Sequence, residues 1–214
     1  APTEISTMVS SSAASDVYKR QALGWLCALG TVFSAYFFRD PERVTPDRPG
    51  LVVSAADGRI SAVVEEAMAP RELALGTATL TRISVFLSVF DVHVVRAPVG
   101  GKIIHSAYVH GAFFNAELDK ASEENERQAF VIETKSGTKI GVVLIAGLVA
   151  RRIVPFVGDG DRLEAGQRMG LIRFGSRVDL YLPPDTEALA EIGQTAIAGE
   201  TVLAILAGEA KGSA

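Results

Sequence analysis

Between Leu51 and Leu206 the chain never runs far without a turn signal, and the stretches between signals are short, apolar and rich in β-branched residues. "LVVSA", "RISAVVEEA", "ATLTRISVFLSVFDVHVV", "KIIHSAYV", "QAFVIETKSGTKIGVVLIAG", "RRIVPFV", "RMGLIRF" and "RVDLYL" follow one another, punctuated by Asp57-Gly58, Gly100-Gly101, Ser136-Gly137 and Gly158-Asp159-Gly160. Valine, isoleucine and threonine fit a pleated surface, and glycine and aspartate accept the backbone angles of tight turns. The pattern therefore predicts compact, mainly antiparallel β structure. One stretch breaks it: "NAELDKASEENERQ" is rich in helix formers and charge, and reads as an exposed helix, a long loop or a set of structural ion pairs. The expected fold class is mainly β (α+β).

Composition narrows the partners. The 214 residues, 48% of them hydrophobic, supply a core for one domain or two small intimate ones. The net charge of −4 comes from acids and bases spread without long blocks, and the basic stripe that nucleic-acid binders need is missing, so nucleic acid is excluded. A single cysteine, Cys27, excludes a disulfide framework and a cysteine-based zinc site, and with three histidines no metal centre is expected. His105 and His110, five apart in "KIIHSAYVHG", make no convincing metal pair on a strand.

The N-terminus carries a different signal. Residues 22–38, "ALGWLCALGTVFSAYFF", are 17 uncharged, mostly apolar residues ending at Arg39, which predicts a short transmembrane helix. Arg39, Arg43 and Arg48 follow closely, so the positive-inside tendency puts the main domain on the cytoplasmic side of the cell membrane. The preceding "SSAASDVYKRQ" resembles the in-frame translation of a transposon-end adapter used in sequencing libraries; residues 1–21 are therefore read as a non-native artefact segment. Residues 39–50, "RDPERVTPDRPG", form a Pro-rich connector that cannot continue a helix. The body is 51–214.

Two further patterns refine the β reading. "VGDGDRLEAGQRMGLI" and "IAGETVLAIL" each feed a glycine-containing turn into a short apolar strand, and "VVSAADGRISAVV" is related. They resemble the barrel-sandwich strands of lipoyl and biotinyl carrier domains, although no lysine sits at a hairpin tip where such a carrier is modified. The second pattern is "GLIRFGSRVDLYLP", residues 170–183, an apolar run interrupted by Gly175-Ser176 where a plain hairpin would place Asn-Gly or Asp-Gly.

The surroundings give that Gly-Ser its weight. "FFRDPER", "VSAADGRIS", "FLSVFDVHVVRAPVGG", "NAELDKASEENER" and "AGQRMGLIRFGSRVDLYLP" occur in this order. Together they resemble the phosphatidylserine decarboxylase family in its short, membrane-attached form, over about residues 36–206. The resemblance implies autocatalytic cleavage between Gly175 and Ser176 through an N→O acyl shift, leaving a β chain of residues 1–175 and an α chain of residues 176–214. Ser176 would become a pyruvoyl group, the covalent cofactor, whose carbonyl forms a Schiff base with the substrate amine. The implied reaction is decarboxylation of phosphatidylserine to phosphatidylethanolamine. The implied partners are that lipid, the membrane and the chain's own cleaved half in an α/β heterodimer, with a homo-oligomer as a further expectation.

The resemblance also names acid–base candidates. Asp57 in "AADG" matches the family's acidic position and stands beside its other reading, an Asp-Gly turn residue. His93 matches the first histidine of an H-x-x-H pattern and is expected to point inward, sharing strand parity with Ile83, Val85, Leu87 and Val89. The second histidine position is Arg96, which stays protonated and cannot serve as a general base; it is left to bind a substrate carboxylate or phosphate, or to hold Asp57. Phe113 and Phe114 are candidates to receive acyl chains. Two alternatives stand beside the main reading: a decarboxylase of another serine-headed lipid of the archaetidylserine type, and a non-catalytic membrane-anchored barrel-sandwich adaptor.

Overall fold

The computed structural model describes residues 3–77, 79–112, 124–147, 152–173 and 175–207. It divides into two compact units, residues 1–39 and 40–214.

The first unit is one helix, α1 (Thr3–Phe37), running without a break through the boundary expected at residue 22. The expected transmembrane helix over 22–38 is not found: among the described residues no helix is long and apolar enough to cross a membrane. The reason is the length of the apolar part. Only residues 22–37 of the uncharged run are helical, about 24 Å at the helical rise, against a hydrocarbon core of about 30 Å. The turns before it carry Asp16, Lys19 and Arg20. Many of its apolar side chains are nevertheless exposed, among them Leu23, Trp25, Leu26, Leu29 and Val32.

The second unit is antiparallel β structure, as its turn-punctuated sequence predicts. An eight-stranded sheet runs in the order β13 (Thr195–Ala196), β2 (Gly58–Met68), β3 (Thr79–Leu87), β11 (Ser176–Leu182), β7 (Lys139–Ala146), β6 (Arg127–Glu133), β5 (Gly101–Val109) and β9 (Arg162–Leu163). Two three-stranded sheets accompany it: β1 (Leu51–Val53), β14 (Val202–Ile205) and β12 (Glu187–Ala188); and β4 (Val94–Arg96), β10 (Arg168–Ile172) and β8 (Ile153–Pro155). The main core gathers Ile83, Val85 and Leu87 of β3, Val142 and Leu144 of β7 and Val178 and Leu180 of β11 with Val95, Met169, Ile153 and Leu203 from the small sheets. Alternate residues of the large sheet, Ala129, Val131, Val143, Ile145 and Tyr181, turn to a second cluster around Leu73. The middle of the sheet is thus covered on both faces, which is why its strands read as continuous apolar runs.

This topology explains the Gly175-Ser176 interruption. It is not a hairpin turn: β10 belongs to a small sheet and β11 to the centre of the large one, so the chain changes sheets between the end of one strand and the start of the other. "ATLTRISVFLSVFDVHVV" is likewise two strands, because the chain turns at residues 88–91 between β3 and β4.

Candidate active site

Ser176 opens β11 and lies in register between Leu87 of β3 and Ala146 of β7. Strand alternation points it to the main core with Val178 and Leu180, and it is fully buried. Its hydroxyl oxygen has no hydrogen-bond partner among the described residues. A buried hydroxyl without a partner is a destabilising feature, so it calls for a reason other than packing. Gly175, just before it, has φ +69°, a left-handed conformation that glycine enters freely, and a side chain there would meet nothing within 4 Å. The backbone conformation, rather than crowding, selects glycine.

His93 comes to this spot through the 88–91 turn. The Asp91 carboxylate accepts from the Ser88 amide at 2.8 Å and the Asp91 amide donates to the Ser88 carbonyl at 3.0 Å, closing the turn. Beyond it, the Ile172 amide donates to the His93 carbonyl at 3.2 Å, tying the residue to β10. The ring bridges two backbone groups: Nδ1 lies 2.9 Å from the Asp91 carbonyl, and Nε2 accepts from the Gly175 amide at 3.2 Å. A carbonyl can only accept, so Nδ1 carries the proton and Nε2 holds a lone pair against the backbone of the Gly175-Ser176 joint. His93 is fully buried, as expected, but not by strand parity with Leu87, since β3 has already ended.

Asp57 and Arg96 are placed elsewhere. One Asp57 carboxylate oxygen accepts from Arg43 at 2.7 Å and the other from the Ala198 amide at 2.7 Å. Arg96 donates to Asp40 at 2.6 Å, to the Pro41 carbonyl at 3.0 Å and to the Gly166 carbonyl at 3.0 Å, while Arg168 pairs with the other oxygen of Asp40. Holding Asp57 therefore falls to Arg43, not Arg96. Glu42, Arg43, Arg96, Gln167 and Arg168 line a cavity of about 480 Å³. The structure brings Gly175, Ser176 and His93 together and leaves Asp57 and Arg96 in these ion pairs, which buckle the start of the connector onto the β unit.

One residue near the centre escaped the sequence reading. Asn125, inside the charged "SEENER", is fully buried and its side-chain amide donates to the Ala146 carbonyl at 2.7 Å, on the residue opposite Ser176. Glu126 beside it is also buried, so these two residues are not exposed as the charged run suggests. An uncharged polar residue within a run of charges was the available signal. His105 bonds the Glu72 carbonyl at 3.0 Å and His110 packs edge-on against Tyr108. Phe113, Phe114 and most of "NAELDKASEENERQ" lie outside the described residues.

The sequence model of the phosphatidylserine decarboxylase family matches residues 31–204. A phosphatidylserine decarboxylase proenzyme of Ruegeria pomeroyi is 59% identical over 184 residues, covering 86% of this chain and 84% of that protein. One of Nitrobacter winogradskyi is 58% identical over 182 residues, covering 85% and 73% respectively. With the family model matching most of its length and both relatives well over half identical to it, the chain belongs to the phosphatidylserine decarboxylase family.

Proposed function

We propose that this chain is a proenzyme that cuts itself between Gly175 and Ser176 and then converts phosphatidylserine to phosphatidylethanolamine and CO2. The observation that carries the reading is the Ser176 hydroxyl, buried without a partner among the described residues at the joint to which His93 presents Nε2.

Self-cleavage follows from these atoms. The Ser176 oxygen attacks the Gly175 carbonyl carbon; the C–O bond forms, the peptide C–N bond breaks, and the hydroxyl proton ends on the Ser176 nitrogen. Removal of the Ser176 Cα proton then expels the ester oxygen, leaving a carboxylate on Gly175 and dehydroalanine at 176, from which water releases ammonia. A serine hydroxyl is a weak nucleophile without a base, and the His93 Nε2 lone pair is the base at this joint. Gly175 leaves the carbonyl open to attack, having no side chain. The buried residue-176 position, bounded by Leu87 and Ala146, fits the small uncharged pyruvoyl group that results. That group supplies the electron sink that the twenty side chains lack. In the decarboxylation His93, once protonated at Nε2 from solvent, delivers that proton to the carbon that loses CO2. Arg96 meets a substrate anion only by giving up Asp40, and Asp57 acts from its place between Arg43 and the Ala198 amide.

The reading extends to place and architecture. We put the protein at the cytoplasmic face of the cell membrane, held at the surface: the exposed apolar side chains of α1 and the lipid substrate support this, as do Arg39 and Arg48 for an anionic leaflet. The short strands β12, β13 and β14, separated by the turns at Gly193 and Gly199, support barrel-sandwich-like elements.

Intact mass spectrometry with a ketone-trapping hydrazine tests the centre. Two chains split after Gly175, the shorter one hydrazine-reactive, are expected from the unaltered protein. Ser176→Ala is expected to remain one chain and to release no CO2 from phosphatidylserine. A Ser176→Ala protein that still decarboxylates ends the proposal.

A further inference from the structure

Five arginines of the β unit are neutralised by acidic side chains. Arg43, Arg96, Arg127, Arg168 and Arg177 each pair with a carboxylate. Six others, Arg48, Arg59, Arg71, Arg162 and the pair Arg152 and Arg173, are exposed and form no ion pair with a carboxylate among the described residues. Arg152 and Arg173 are also neighbours: Ile172 and Ile153 are opposite one another in the β10–β8 pair, and one step further the Arg173 amide faces the Arg152 carbonyl at 3.4 Å. Directly opposed like charges destabilise a strand pair. Their setting is the candidate active site, since Arg173 follows Ile172, whose amide holds the His93 carbonyl, and precedes by two residues Gly175, whose amide meets the His93 ring.

From this placement, and resting on the function proposed above, we infer that Arg152 and Arg173 form an anion subsite for the phosphodiester of the substrate lipid. The chemistry of the reaction selects which anion they take. A cation held against the carboxylate would stabilise a charge that disappears as CO2 leaves, and so would favour the ground state over the transition state. A cation on the phosphodiester holds the substrate equally in both states and leaves the carboxylate free to depart. Two guanidinium groups borne on neighbouring strands also match the spread oxygens of a phosphodiester. Arg96 is a poorer candidate because its donors already serve Asp40, Pro41 and Gly166.

The test uses the processed two-chain enzyme and monomeric dihexanoylphosphatidylserine, so that no bilayer is present. Arg173→Gln and Arg152→Gln are each expected to cleave fully by mass spectrometry and to raise KM about tenfold, with kcat within about twofold, as loss of a hydrogen-bonded charge contact implies. Arg173→Lys should recover part of the loss. Calorimetric binding of dihexanoylphosphatidylethanolamine, which needs no turnover, should weaken by a similar factor. An unaltered KM and unaltered binding would overturn the inference. So would a defect seen only as lost sedimentation with phosphatidylglycerol vesicles, which would assign the pair to the bilayer surface, or failed self-cleavage, which would assign it to processing. If the unaltered enzyme carries its ketone yet releases no CO2, the proposed function fails, while the binding measurement still decides the subsite.

Discussion

At the scale of single residues, the centre rests on a histidine whose two ring nitrogens are assigned opposite tasks by the backbone. The Asp91 carbonyl takes the Nδ1 proton, so Nε2 is the basic nitrogen and sits at the Gly175 amide. Position and basicity are separable by substitution. His93→Gln retains an oxygen that can accept the Gly175 amide but offers no base, whereas His93→Ala loses both. Both variants are expected to slow the appearance of the two chains by on the order of 100-fold, followed by mass spectrometry over time. If His93→Gln matures at the normal rate, holding Gly175 is the whole role of the ring.

At the scale of the element, β11 carries two unlike faces. Ser176, Val178 and Leu180 look into the main core, while Arg177, Asp179 and Tyr181 lie on the other face. Arg177 and Asp179 are both buried and form an ion pair, with Arg177 Nε 2.9 Å from the Asp179 carboxylate. Removing one member leaves an uncompensated buried charge, which is strongly destabilising, whereas replacing both with apolar residues of similar volume is tolerated far better. In an uncut Ser176→Ala background, Asp179→Asn is expected to cost about 3–5 kcal/mol in urea unfolding. Arg177→Met with Asp179→Leu together should cost much less. The pair lies next to the residue that becomes the ketone, so a strand loosened by Asp179→Asn would misplace the reacting atom as well.

At the scale of the whole molecule, cleavage at Gly175 leaves two chains that share one fold. β11 stays between β3 and β7, while β13 pairs with β2 and β14 with β1, so the shorter chain is woven into the longer one by its ladders. Unfolding is then the natural route to separating them. Tyr181 gives that stability a pH limit: burial, then the neighbouring Asp179, pushes its phenol from the usual 10 up to about 12. Below pH 10 the phenol is protonated in both folded and unfolded chains and its contribution is intact. As pH rises from 10 to 12 the unfolded phenol ionises first, and about 2–3 kcal/mol of stability is lost. Tyr181→Phe, compared with the unaltered chain by urea unfolding across that window, should remove this part of the alkaline slope.

Much of this was legible along the chain, and the reason is local. Turn glycines and β-branched runs act over a few residues, so antiparallel β structure, most strand positions and the Gly175-Ser176 interruption followed from sequence. The rest depended on contacts between distant residues. Strand parity put His93 inside, yet a turn at 88–91 and a bond from residue 172 are what bring it there. Sequence left Arg96 open to several roles, and only the fold sets it against Asp40, 56 residues away. Asn125 looked like part of a charged surface and is buried against the carbonyl opposite Ser176. Residue type and spacing determined which chemistry this chain can carry. Only the tertiary structure decided which charged groups neutralise one another and which remain available beside the serine, because ion pairing depends on distance in space and not along the chain.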